Sequence, residues 1–206
     1  MNEKGKIKNI VFDFGQVLVY FQPEYMTGVY VADPDDKALL CEVVFDRLYW
    51  DRLDAGTITN EETLTEIKKR LPERLHEVSE KIYWNWIYNI PEIEGMSDLI
   101  KHLKNNHRVS LFVLSNISHY FADHADEIPI LKQIPNRIFS ARIGITKPKR
   151  EIFATLCEKF DLNPTETIFI DDNENNVKGA LDFGLNAYLF DGSAEKLKSY
   201  LDSVLD

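Results

Sequence analysis

Three short apolar runs punctuate the chain, and each ends abruptly in small polar residues: Ile10-Val11-Phe12 before Asp13, residues 109–114 before Ser115-Asn116, and residues 167–170 before Asp171-Asp172-Asn173. They are apolar on both alternations and rich in β-branched and aromatic side chains, which predicts strands buried on both faces, as in a parallel sheet covered by helices. Residues 137–141 and 186–190 are two weaker strand candidates. Between the strands the period lengthens. Met96, Leu99, Ile100 and Leu103 keep the i, i+3, i+4, i+7 spacing of an amphipathic helix, as do Leu197, Tyr200, Leu201 and Val204. A further helix over 149–160 carries Ile152, Phe153 and Leu156 on one side and stops before Asn163-Pro164. Strand and helix in alternation predict an α/β fold with a doubly wound, Rossmann-like parallel sheet.

Residues 20–90 break this rhythm. They hold no convincing strand but three helical patches, at about 35–53, 60–71 and 75–89, with Thr59 and Glu62 spaced as a capping box ahead of the second. Phe21-Gln22-Pro23 and Asn89-Ile90-Pro91 are expected hinges, because proline stops helices and stiffens connectors. The division expected is therefore an α/β core over 1–19 and 92–206 with an inserted all-helical cap over 20–91.

The chain has 206 residues, 44% of them hydrophobic, enough for one core and a small second lobe. Its 24 Lys+Arg against 34 Asp+Glu leave a net charge of −10, which argues against nucleic acid or an acidic membrane as partner. Cys41 and Cys157 are too few and too distant for a disulfide framework or a zinc site, so a reducing cytoplasm is expected. No stretch approaches the ~20 apolar residues of a membrane span, and the apolar run behind the N-terminal lysines stops at Asp13, short of a signal sequence. A monomer or weak dimer is expected.

In open α/β sheets ligands bind beyond the carboxyl ends of the strands. There this chain places Asp13, Gly15 and Gln16, then Ser115 and Asn116, then Asp171 and Asp172, with Lys147 in the loop Gly144-Ile145-Thr146-Lys147-Pro148. Acids gathered at adjacent strand ends repel unless a cation joins them, and an all-oxygen site with few protein ligands suits Mg²⁺. Lys147, the Ser115 hydroxyl and backbone N–H groups near Asn116 would meet phosphoryl oxygens. With Asp13 as a carboxylate nucleophile, the reaction expected is displacement at phosphorus through an aspartyl-phosphate.

These segments resemble the motifs of the haloacid dehalogenase-like (HAD) hydrolase superfamily, in its helical-cap phosphatase group (subfamily IA-like) with an Asp-x-Gly first motif. Val11-Phe12-Asp13-Phe14-Gly15-Gln16-Val17-Leu18 is similar to the nucleophile motif and Val113-Leu114-Ser115-Asn116 to the second. Lys147-Pro148 with Ile152-Phe153 resembles the lysine motif, and Ile170-Asp171-Asp172-Asn173 with Asn176 the acidic fourth. The resemblance implies Asp13 as nucleophile and Mg²⁺ ligand, the Gly15 carbonyl and Asp172 as further ligands, and Ser115, Asn116 and Lys147 as the phosphate grip. Asp171 is supporting, either binding the metal through water or holding Lys147. The substrate class implied is a small phosphorylated metabolite, such as a sugar phosphate.

One departure matters: phosphatases of this superfamily usually carry a second, proton-transferring aspartate where this chain has Gly15. Gln16 is a candidate for positioning water but has no useful pKa. Two alternatives stay open, a 2-haloacid dehalogenase using the same aspartate on carbon and a catalytically weak phosphometabolite-binding protein. Tyr49, Trp50, Tyr83, Trp84, Trp86 and Tyr88 are read mainly as packing in the cap, with one or two toward the cleft, and Asp54 as a specificity candidate. His76, His102, His107, His119 and His124 show no metal-ligand spacing.

Overall fold

The computed structural model describes residues 7–106 and 108–205, which leaves His107 and most of the lysine-bearing N-terminal segment outside it. Five strands, β1 (Asn9–Phe12), β2 (Ser110–Ser115), β3 (Asn136–Phe139), β4 (Thr167–Asp171) and β5 (Asn186–Leu189), form one parallel sheet in the order β3-β2-β1-β4-β5. The strand runs read from the sequence hold, because alternate residues feed different cores. Ile10, Phe12, Leu111, Val113, Ile168 and Ile170 point into one buried cluster, and Val11, Phe112, Leu114 and Phe169 into the other.

Helices α1 (Pro23–Gly28), α2 (Pro34–Val44), α3 (Arg47–Asp54), α4 (Asn60–Arg70) and α5 (His76–Asn85) all lie between β1 and β2, followed by α6 (Met96–Asn106). Beyond β2 come α7 (His119–His124) and α8 (Pro129–Lys132), then α9 (Ser140–Ile143) after β3 and α10 (Arg150–Phe160) before β4. Helix α11 (Glu174–Phe183) joins β4 to β5, and α12 (Ala194–Val204) ends the described chain. Leu99, Ile100 and Leu103 of α6 and Leu197 and Leu201 of α12 enter the first cluster, whereas Ile152, Phe153 and Leu156 of α10 and Ala180 of α11 enter the second. The sheet is thus covered on both faces.

Several boundaries differ from expectation. The patch at 35–53 is two helices, because Phe45 leaves helical geometry (φ −102°, ψ 21°) and Asp46 starts the next helix by accepting the Leu48 N–H at 2.9 Å. Pro23, read as a hinge, stands at the first turn of α1, where a missing N–H costs nothing. Strand β3 stops at Phe139, and Ser140 begins a helical turn. The capping box is present: Thr59 Oγ1 accepts the Glu62 N–H at 3.1 Å and Glu62 Oε2 the Thr59 N–H at 2.9 Å.

The two ends of the helical insert meet. The Tyr20 N–H donates to the Pro91 carbonyl at 2.8 Å, and Val19 bridges to Glu92. Phe21 meets Phe45, Trp50 and Trp86 edge to face, Trp50 meets Trp86 the same way with centroids 5.1 Å apart and stacks on Phe45, and Trp86 lies on Phe121 of α7 at 5.4 Å. Burying such rings contributes about 1.5–3 kcal/mol apiece and ties the insert to the core beside the carboxyl ends of the strands.

Candidate active site

Strand register brings the acids together. Phe12 pairs with both Val113 and Ile170, and one residue on, the Asp13 N–H still donates to the Ile170 carbonyl at 2.8 Å. Asp13 therefore leaves the sheet beside Asp171, between the ends of β2 and β4. The chain turns back at once: the Leu18 and Val19 N–H groups donate to the Phe14 carbonyl, and the Gln16 N–H to the Val19 carbonyl at 2.7 Å. Gln16 occupies the left-handed region (φ 57°), and its side-chain amide donates to the Phe21 carbonyl at 3.0 Å. It closes the turn and also lines a cavity beside Asp13.

Lys147 is buried between two of the acids. Its Nζ lies 2.8 Å from Asp13 Oδ1 and 2.7 Å from Asp171 Oδ2. Burial would lower its pKa, but the two carboxylates raise it, and the outcome is upward. Asn116 holds the lysine loop: its Oδ1 accepts the Lys147 N–H at 2.8 Å and its Nδ2 donates to the Lys147 carbonyl at 3.1 Å. Helix α11 presses on the same loop at Gly179, where a Cβ would sit 2.7 Å from the Pro148 carbonyl.

Asp171 is fully buried and well occupied. Besides Lys147 it accepts the Asn173 N–H at 2.8 Å, and Asn176 Nδ2 lies 3.1 Å from each of its oxygens. Asp172 is solvent-facing, and its carboxyl is pushed upward by partial burial and by the Asp171 charge. Burial also pushes Asp13 up, to about 6, against the Lys147 charge; Asp171 adds to the rise, and hydrogen bonds from Lys147 and Ser115 oppose it. One carboxylate oxygen from each of Asp13, Asp171 and Asp172 lies within 4.8 Å of the others. Such an all-oxygen donor set fits a hard divalent cation.

This cavity, of about 180 Å³, opens beside Asp13. Asp13, Gly15, Ser115 and Asn116 line it from the core, and Arg47, Trp50, Asp54 and Trp86 from the insert. Lys147 and Asp171 lie behind Asp13 and do not line it. Of the aromatic residues named from the sequence, Trp50 and Trp86 reach the cavity; Tyr49 lies under Arg70 and Tyr83 bonds Asn60. Arg47 and Ser140 were missed. Ser140 is fully buried and bridges core to insert, accepting the Ile117 N–H at 2.9 Å and donating to the Asp54 carbonyl at 2.5 Å. No sequence signal marks it, because the pairing spans distant segments.

The sequence model of the haloacid dehalogenase-like hydrolases matches residues 7–184, which takes in the whole site. The chain belongs to that family. Among curated HAD hydrolases it is similar to D-ribitol-5-phosphate phosphatase of Bacteroides thetaiotaomicron, at 24% identity over 92% of this chain and 94% of the relative. Among solved HAD structures it resembles a predicted HAD-like family hydrolase of Porphyromonas gingivalis, with TM-score 0.73 and 24% identity over 97% and 98% of the two chains. It also resembles a Bacteroides thetaiotaomicron HAD family enzyme crystallised with magnesium and inorganic phosphate, with TM-score 0.69 and 19% identity over 93% and 98%. These likenesses establish the fold.

Proposed function

We propose that this hydrolase is a Mg²⁺-dependent phosphatase that cleaves a small phosphorylated sugar or polyol through an aspartyl-phosphate on Asp13. The observation that carries the reading is the position of Lys147, with its ammonium within 2.8 Å of Asp13 and 2.7 Å of Asp171, directly behind the carboxylate that lines a cavity bordered by Ser115. The cited relatives, one named for a sugar-alcohol phosphate and one crystallised with magnesium and phosphate, support it.

Asp13, the Gly15 carbonyl and Asp172 would hold the ion, which when bound supplies positive charge to the phosphoryl oxygens. Asp171 is assigned to the lysine, since Lys147, Asn173 and Asn176 already occupy both of its oxygens. Asp13 attacks phosphorus in line with the leaving oxygen. Lys147 keeps Asp13 ionised inside the protein, where burial would otherwise protonate it, and with Ser115 and backbone N–H groups near Asn116 donates to the phosphoryl oxygens. The insert over 20–91 serves as a cap that narrows the cavity and limits bulk water. A dehalogenase attacking carbon needs no cation and would leave Asp172 without a task.

Cys41 and Cys157 are free thiols, in keeping with a reducing cytoplasm as the compartment. No described helix is long and apolar enough to cross a membrane. Phosphate release from a panel of sugar, polyol, nucleotide and acyl phosphates, with and without chelator, tests the reading. Chelator-sensitive release from sugar or polyol phosphates is expected; chelator-resistant chloride release from a 2-haloacid, with no phosphate released, would replace it by the dehalogenase.

A further inference from the structure

Glycine at position 15 leaves the reaction short of a proton carrier. A Cβ placed on Gly15 would meet no atom within 4 Å, so the space beside Asp13 is open. Among the described residues that line the cavity, the ionisable ones are Asp13, Arg47 and Asp54. Asp13 is taken by the attack on phosphorus, and an arginine does not give up its proton in a protein. That leaves Asp54.

Its placement is built. The Asp54 carbonyl takes the Ser140 hydroxyl at 2.5 Å, and Ser140 in turn takes the Ile117 N–H beside the Ser115-Asn116 strand end. Two residues on, Gly56 (φ +68°) lies so close to the core that a Cβ would stand 2.9 Å from the Ala141 carbonyl and 3.1 Å from His119 Nε2. The end of α3 is thus locked against the core, while no hydrogen bond or ion pair among the described residues engages the Asp54 carboxyl itself. Asp54, held this way by its backbone and with its carboxyl oxygens unclaimed, lines the same cavity as the nucleophile.

We infer that Asp54, carried by the insert, performs the proton transfers for which position 15 has no side chain. The inference rests on the phosphatase reading. As the bond from Asp13 to phosphorus forms and the bond to the leaving oxygen breaks, the Asp54 carboxyl gives its proton to that oxygen, and the alcohol departs. Water then attacks phosphorus, the Asp54 carboxylate takes one of its protons, and the bond from phosphorus to Asp13 breaks, so both aspartates return to their starting states. The environment suits both halves. Burial raises Asp54 to about 7, opposed by Arg47 and Lys147 and reinforced by Asp51 and Asp13, so acid and base forms are both accessible near neutral pH.

The test compares wild type with Asp54→Asn, which is nearly isosteric, and Asp54→Glu, on an alkyl phosphate and on p-nitrophenyl phosphate. An alkoxide needs the proton and a nitrophenolate does not. Asp54→Asn should lose about 10²–10⁴-fold in kcat on the alkyl ester. On the aryl ester it should release one equivalent of nitrophenolate in a burst and then stall, with covalently bound phosphate accumulating on the protein; Asp54→Glu should recover part of the loss. Equal losses on both esters without phosphoenzyme, or wild-type turnover by Asp54→Asn, would overturn the role of Asp54 alone. A wild-type protein that releases phosphate from neither ester would overturn the phosphatase reading and this inference with it.

Discussion

Asn116 grips Lys147 by its main chain, taking the N–H at 2.8 Å and giving a hydrogen bond to the carbonyl at 3.1 Å, so the end of β2 sets where the buried ammonium stands. The carboxamide oxygen and one of the two amide protons hold the loop, and Asn116 also lines the cavity.

Asn116→Ala should leave Lys147 present but poorly placed. Misplacing a group at a reacting centre by about 1 Å can cost about 10²-fold, and a loss of that order in kcat/KM is expected. Steady-state kinetics on the best substrate of the panel checks it, and Asn116→Asp, which keeps the acceptor for the Lys147 N–H, should recover part of the activity.

Lys147→Met should destabilise the metal-free protein. It strips the shared cation from two buried carboxylates, Asp13 and Asp171, and breaking a buried ion pair typically costs about 3–5 kcal/mol. Urea unfolding in chelator measures this. Added Mg²⁺ should return more stability to Lys147→Met than to wild type, because the ion would face acids with no competing lysine.

Gly56→Ala should cost about 1–3 kcal/mol, since it combines a left-handed backbone with a Cβ pressed on the Ala141 carbonyl. Thermal melts check the stability. Gly144 gives the contrast: its φ is also positive (+67°) but a Cβ there meets nothing within 4 Å, so Gly144→Ala should cost less.

Stability should depend on pH through Asp54. Its carboxyl titrates near 7 when folded against an ordinary 3.8, so the folded state keeps a proton that the unfolded chain has released. The contribution is whole below about pH 4 and fades as pH rises toward 7. In chelator, the stability of wild type should fall more steeply between pH 5 and 7 than that of Asp54→Asn. Asp13 and Asp172 also titrate upward but are common to both proteins, so the difference between the two curves reports Asp54.

The sheet was legible because its strands carry the strongest local signal a sequence has, with Val11 and Phe12 apolar on opposite faces and Asp13 ending the run. So were the strand-end acids and Lys147. Breaks inside apparently continuous patterns were less visible: Phe45-Asp46 divides a helix on a backbone twist and a cap, although apolar spacing runs through both halves. The short helices α7 and α8 lie in a stretch with too few turns for a period to emerge. Asp54 was legible only through the family resemblance, as a specificity candidate, whereas Ser140 was invisible, since its role depends on two segments far apart in the chain meeting at the core–insert boundary.

The central claim, that Asp13 is the atom source for attack on phosphorus, is tested most directly by trapping. Protein quenched in acid during turnover of a phosphate ester is reduced with borohydride, which converts an aspartyl-phosphate to homoserine, and its peptides are weighed. Homoserine at position 13, absent from Asp13→Asn and from protein without substrate, is the predicted result. A turning-over wild type with Asp13 unmodified, or with the acyl phosphate on Asp171 or Asp172, would contradict it.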